Sequence, residues 1–226
     1  ALPQTYSQGT VGSYGYGYWA NGSEPDKSYV QRIDYSNDTA ITSLRSNTAV
    51  ALRNRAANSS STHGYVCGGE NPGATVSTVD RLDFANDTAT ITAKGPLVAI
   101  VNSAKGTGNV NFGYVAGGHN GSGFISQLSR IDYGSDTVAS VDKCDLTSSR
   151  QRMGATSNES YGYWGGGGTP SAASTVDRLD FNNDTTNTVA KGPLTDARSS
   201  IGAAGNSNFG YYAGGTPAVT SIVERI

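Results

Sequence analysis

Apolar and polar positions in this chain alternate over short runs, and no stretch carries the 3.6-residue stripe of an amphipathic helix. Four kinds of run recur. The first is rich in small residues, as in 153–157 and 199–205. The second places an aromatic after a glycine and ends on glycines, as in 112–118. The third alternates along its length, as in Val79-Asp80-Arg81-Leu82-Asp83-Phe84. The fourth, 88–93, is rich in β-branched residues. All four are bounded by Gly, Asn, Asp or Pro and read as strands of about five to eight residues.

Between the third and fourth runs stand Ser36-Asn37-Asp38-Thr39, Ala85-Asn86-Asp87-Thr88, Gly134-Ser135-Asp136-Thr137 and Asn182-Asn183-Asp184-Thr185. Asn and Asp tolerate left-handed backbone and bond their own main chain, so these segments predict tight hairpins rather than calcium loops, which need alternating carboxylates. The words repeat. Residues 77–84 recur letter for letter at 174–181, and Gly17-Tyr18, Gly64-Tyr65, Gly113-Tyr114, Gly162-Tyr163 and Gly210-Tyr211 follow one another at steps of 47, 49, 49 and 48 residues. A period of about 48 residues with four strands per unit predicts an all-β chain: one five-bladed β-propeller domain over 1–226. Its units are approximately 1–47, 48–96, 97–145, 146–193 and 194–226. The small-residue run belongs innermost, because five blades leave a narrow axis. Against five full units the chain is short by about one strand, so the last blade is expected to lack its outer one, with any closing strand supplied from elsewhere or absent.

The glycine pair after a strand, the Val-x-x-x-Asp-aromatic run, the Asp-Thr turn and the Arg150 and Arg198 positions before a small-residue strand resemble the kelch repeat. Val101 replaces that Arg in one copy, and the tryptophan expected after the Asp-Thr turn is missing. The wording of 77–84 and 174–181, with Asn-Asp-Thr and Gly-Pro-Leu following, resembles kelch-like arrays in structural proteins of marine cyanophages. That resemblance spans essentially the whole chain. It implies a virion or extracellular surface role, and it identifies no ligand.

Charge and composition narrow the partners. A net charge of −2 and no basic stripe argue against nucleic acid. No apolar run reaches membrane-spanning length, which argues against insertion, and no leader opens the chain. Cys67 and Cys144 stand at non-equivalent positions and read as buried free thiols. His63 and His119, the two histidines, lie in different units and predict neither a metal site nor a catalytic triad. No cofactor is expected. Seven Asn-x-Ser/Thr sequons follow from composition alone.

Arg32, Arg81, Arg130 and Arg178 each precede Asp34, Asp83, Asp132 and Asp180 by two residues, and so share a strand face with them. A residue present in every repeat serves the repeat, so the series is expected to be structural, as an ion-pair ladder in the third strand or between blades. On that reading Arg178→Ala costs about 3–5 kcal/mol if its pair is buried. Arg225 extends the series. Trp19 and Trp164 alternate with Val66, Val115 and Tyr212 and read as packing between blades, as does the Tyr18, Tyr65, Tyr114, Tyr163 and Tyr211 series. What varies is the loop from the second strand to the third. Strand directions put these loops on one face with the links between units, and they display Glu24, Asp26, Lys27, Tyr29, Glu70, Asn71, His119, Asn120 and Phe124. Loops on a rigid scaffold carry binding, so these are the candidate ligand contacts, with units one and three foremost. The expected function is a non-enzymatic structural or adhesion module binding a glycan or another surface protein. The competing readings are an intracellular kelch-type adaptor and an enzyme at the channel mouth. Near-identical repeats disfavour the enzyme, because catalysis needs converging, unlike groups.

Overall fold

A computed structural model describes residues 9–22, 27–168, 170–217 and 221–226. Blade 1 is β1 (Gly9–Gly12), β2 (Tyr16–Gly22), β3 (Lys27–Asp34) and β4 (Ser43–Asn47). Blade 2 holds β5 (Ala56–Ser59) and β6 (His63–Cys67), then a small separate hairpin of β7 (Glu70–Asn71) and β8 (Ala74–Thr75), then β9 (Val79–Asp83) and β10 (Thr92–Ala93). Blade 3 is β11 (Lys105–Gly108), β12 (Phe112–Ala116), β13 (Gln127–Asp132) and β14 (Val141–Asp145), with a short 3-10 turn at Tyr133–Ser135. Blade 4 is β15 (Gly154–Ser157), β16 (Tyr161–Gly165), β17 (Val176–Asp180) and β18 (Val189–Lys191). Blade 5 is β19 (Gly202–Gly205), β20 (Gly210–Ala213) and β21 (Val223–Arg225). Each blade is an antiparallel sheet ordered from the axis outward, and the five form a five-bladed β-propeller whose last blade has three strands among the described residues, as the sequence predicted.

The register is the same in every blade. Tyr18, Tyr65, Tyr114, Tyr163 and Tyr211 of the second strands stand opposite Arg32, Arg81, Arg130, Arg178 and Arg225 of the third. The core lies between blades. Val11, Tyr18, Val66 and Leu82 fill the first interface; Tyr65, Val79, Val101 and Ile131 the second; Tyr114, Leu128, Met153 and Trp164 the third; Val176, Leu194, Ile201 and Tyr212 the fourth. Among the described residues no such cluster joins blade 5 to blade 1. Inner strands approach so closely that a Cβ on Gly106 would stand 2.4 Å from the Ala57 carbonyl oxygen, which is why that position is glycine. The residues alternating at the Trp19 position do lie between blades: Trp164 is fully buried and donates its indole N–H to the Lys105 carbonyl of blade 3 at 3.1 Å. Cys67 and Cys144 are free and buried, and burial pushes both thiols up to about 12.

Two expectations need correction. The turns before the fourth strand are not tight hairpins. In blade 2 eight residues, 84–91, separate β9 from β10, so the fourth strand is shorter than the 88–93 run. Asp34, Asp83, Asp132 and Asp180 begin these turns, each accepting the backbone N–H two residues on at 2.8–2.9 Å. One oxygen of each carboxylate is spent on its turn, and no ion pair joins any of the four to the arginine two residues earlier. Arg32, Arg81 and Arg130 instead reach the Asp at the centre of the next blade's turn: Asp87 at 2.8 Å, Asp136 at 2.8 Å and Asp184 at 2.7 Å. Arg178 has no carboxylate partner among the described residues.

Candidate functional site

The links between blades and the loops between second and third strands meet on one face, through backbone pairs at Arg53–Glu70, Asn102–His119, Gln151–Gly168 and Ser199–Thr216. Within each link one residue takes left-handed backbone: Asn54, Ser103, Arg152 and Ser200, at φ of 54–58°. Their main chains join in series. Ser103 N–H donates to the Asn54 carbonyl at 2.8 Å, Arg152 to Ser103 at 3.0 Å, and Ser200 to Arg152 at 2.8 Å. This belt runs through the four links that lead into blades 2 to 5.

On the axis lies a cavity of about 360 Å³, lined by all five inner strands. Gly9, Gly106, Gly154, Ala155 and Gly202 are the small residues expected there, but Thr10, Arg55 and Lys105 also line it. Lys105 is the first residue of its inner strand, where the other blades begin with Gly9, Ala56, Gly154 and Gly202. Burial lowers its pKa, and no hydrogen bond or ion pair to its ammonium is present among the described residues. Arg55, by contrast, is spent: it donates to Asp80 at 2.7 Å and to the Gly68 and Val66 carbonyls at 2.8 and 2.7 Å. Arg152 stands exposed on the belt. The cavity mouth therefore has a net positive character, supplied chiefly by Lys105. The sequence carried this signal as one charged residue in a column of Gly and Ala.

Arg55 belongs to a second series. Arg150 bonds Asp177 at 2.6 Å, with both side chains almost wholly buried, and Arg198 bonds Glu224. Asp80, Asp177 and Glu224 each precede the repeated Arg, at the positions of Gln31 and Ser129 in blades 1 and 3. Blade 3 lacks both partners, with Val101 and Ala104 in place of Arg and Ser129 in place of the acid. Arg55 sits three positions later in its link than Arg150 does, yet it reaches the equivalent acid.

The loop residues proposed from sequence do not converge. Glu24 and Asp26 lie outside the described residues, as does the side chain of Lys27. Tyr29 is half-buried in β3, opposite Asn47. Glu70 accepts from Asn54 at 2.8 Å and pairs with Arg53 at 3.4 Å. Asn71 and Asn120 spend their side-chain oxygens on their own turns, capping Gly73 and Ala74, and Ser122 and Gly123. His119 Nδ1 accepts from Gly121 N–H at 3.0 Å, and its ring meets Phe124 edge-on at 5.3 Å. Phe124, 38% exposed, is thus a braced aromatic beside the belt. No group of three or more potential metal ligands is present among the described residues, and no helix there is long and apolar enough to cross a membrane.

No family model matches the chain, and no curated protein matches it.

Proposed function

We propose that this propeller is a non-catalytic binding module of a virion or extracellular surface, and that it holds an acidic glycan over the axial mouth on its loop face. The observation that carries the reading is Lys105 on the wall of the axial cavity, its ammonium without a partner among the described residues. Lys105 is half-buried, so its cation is partly stripped of water without a counter-charge among the described residues, and an anion that fills the cavity relieves that cost. Phe124 adds an exposed apolar surface for a sugar ring, and Arg152 a second cation at the rim. The kelch-like repeat and its cyanophage-like wording support the surface role. Most polar groups of the loops are committed to their own turns, which suits a rigid docking face better than a reacting centre.

Calorimetric titration with oligogalacturonate, a carboxylated sugar polymer, against its neutral methyl ester tests the reading. The carboxylated form should bind at least tenfold more tightly at low salt, and the advantage should shrink as salt is raised. Lys105→Gln should abolish the difference while leaving the melting temperature unchanged or higher. Equal binding of charged and neutral sugars, or full binding by the variant, would defeat it.

A further inference from the structure

A ring opens the second strand of every blade: Tyr16, His63, Phe112 and Tyr161 begin β2, β6, β12 and β16, and Phe209 stands directly before β20. In four blades the guanidinium of the third strand lies over that ring, Arg32 over Tyr16, Arg130 over Phe112, Arg178 over Tyr161 and Arg225 over Phe209, at 4.1–4.5 Å. Blade 2 has an imidazole there, a smaller ring than the phenyl and phenol of the other blades. At its seam with blade 3, between two complete four-stranded sheets, lies a cavity of about 490 Å³, larger than the axial one. His63 borders it from blade 2, and Val110, Asn111, Phe112, Asp132 and Tyr133 border it from blade 3. It opens on the face of the turns between first and second strands, opposite the loop face.

The walls of this cavity are fixed by local hydrogen bonds. Ser60 Oγ accepts from the N–H groups of Thr62 and His63 at 3.3 and 3.0 Å, and Thr62 Oγ1 and His63 Nδ1 share a hydrogen bond of 2.8 Å. Burial and the Arg81 charge hold the imidazole below its usual pKa, so the ring is neutral near neutral pH and its Nε2 is the atom left for a ligand. Across the seam, Asn109 Oδ1 accepts from the N–H groups of Asn111 and Phe112, both at 2.9 Å, and the turn leaves Val110 72% exposed at its tip. Asp132 spends one oxygen on the Gly134 N–H at 2.9 Å. Its other oxygen and the Asn111 side-chain amide have no partner among the described residues. Behind them Tyr133 stacks on Tyr65 at 4.8 Å, and Tyr65 and Arg81 both donate across the seam to Asp136, which makes the floor rigid.

We propose that the seam between blades 2 and 3 binds an uncharged sugar residue. A pyranose offers apolar C–H surface together with hydroxyls that both donate and accept. Val110 and Phe112 supply the apolar wall, the free Asp132 oxygen accepts from a hydroxyl, the Asn111 amide donates and accepts, and His63 Nε2 completes the set. Charge selects against other occupants. Asp132 repels an anion, and one face of the Phe112 ring already carries the Arg130 guanidinium, which disfavours a second cation. The volume lies within the range of small-ligand sites, roughly 300–1,000 Å³, and walls set in advance lower the ordering cost of binding. This site stands independently of the axial one. Where both are filled, the module holds sugars on its two opposite faces and bridges them.

The probes are the methyl glycosides of glucose, galactose, mannose and N-acetylglucosamine, with galacturonate and choline as charged controls, followed by saturation-transfer NMR on the full chain. Measurement in the Lys105→Gln background keeps the axial cavity out of the signal. At least one uncharged glycoside should bind saturably, and as well with Lys105→Gln as without it, which separates this site from the acidic-glycan reading. Asn111→Ala should weaken that binding at least about tenfold, and so should Asp132→Asn, which keeps an oxygen for the Gly134 N–H. His63→Phe restores the larger ring of the other blades, and it should fill the cavity, weaken binding as much, and leave the melting temperature unchanged or higher. Failure of all four glycosides to bind, full binding by any of the three variants, or tighter binding of galacturonate or choline than of every uncharged glycoside in the Lys105→Gln background would overturn the proposal.

Discussion

At the scale of single residues, one arginine position has two energetic meanings. Arg130 neutralises Asp184, whose side chain is 9% exposed, and Arg130→Ala leaves that carboxylate with two of its three donors. A loss of about 2–4 kcal/mol is expected, below the full cost of a deeply buried pair because Arg130 itself is partly wet. Among the described residues Arg178 makes only a stack on Tyr161, so Arg178→Ala should cost this chain less than about 1 kcal/mol, in place of the larger loss that the sequence implied. Urea denaturation of both variants checks the contrast. Tyr114, Arg130 and Lys143 form a cup of donors around Asp184, as Tyr18, Arg32 and Arg45 do around Asp87 and Tyr65, Arg81 and Lys94 around Asp136, and these cups set an acid limit. Burial raises the Asp87, Asp136 and Asp184 carboxyls, but hydrogen bonds from the cup outweigh it and the net shift is downward. With folded values below the unfolded value of about 3.9, their stabilisation is complete above roughly pH 5 and is lost as the pH falls through 3.9 toward the folded values. Melting temperature measured from pH 6 to pH 2 should fall in that window, and less steeply in Asp136→Asn. The sequence showed the arginines and the turn aspartates but not their partnership. Asp34 and Asp83 were nearer in the chain, and only the three-dimensional turn reveals that they are consumed as caps.

At the scale of the element, strand identity was legible because alternation and glycine punctuation act locally. What was not legible was the length of the turns, 84–91 among them. A strand-like run such as 88–93 gives up its first residues when the turn must lean back to the preceding blade. The inner strands were read correctly as small, and Lys105 was passed over because a single exception inside a repeat has no periodicity to announce it. The buried arginine shows how an element can keep a contact while moving its source. Arg55→Met, matching Met153 of blade 4, strands Asp80 in the core and should cost about 3–5 kcal/mol. Adding Leu52→Arg, at the position of Arg150, should recover most of that loss. If thermal denaturation shows the double variant no more stable than the single one, the two links are not geometrically equivalent.

At the scale of the whole molecule, the blades are joined by like interfaces, and the sequence period alone was enough to anticipate their number and order. The first three interfaces each combine an apolar cluster with one carboxylate, given by the later blade and received by the earlier one. That one-way rule makes the molecule severable. Residues 1–96 keep the cup of Tyr65, Arg81 and Lys94, and residues 97–226 keep Tyr133 and Asp136, so the two pieces carry unlike, matching surfaces. Co-expressed, they should reassemble in a single orientation, read out by co-purification, and Asp136→Asn on the second piece should cut the yield. Recovery of like fragments paired with each other would show that the interfaces lack this direction. If the rule holds, each of the first three links between blades is a usable cut point, and the chain offers a ready frame for a split reporter whose halves recognise each other by charge, stacking and apolar fit.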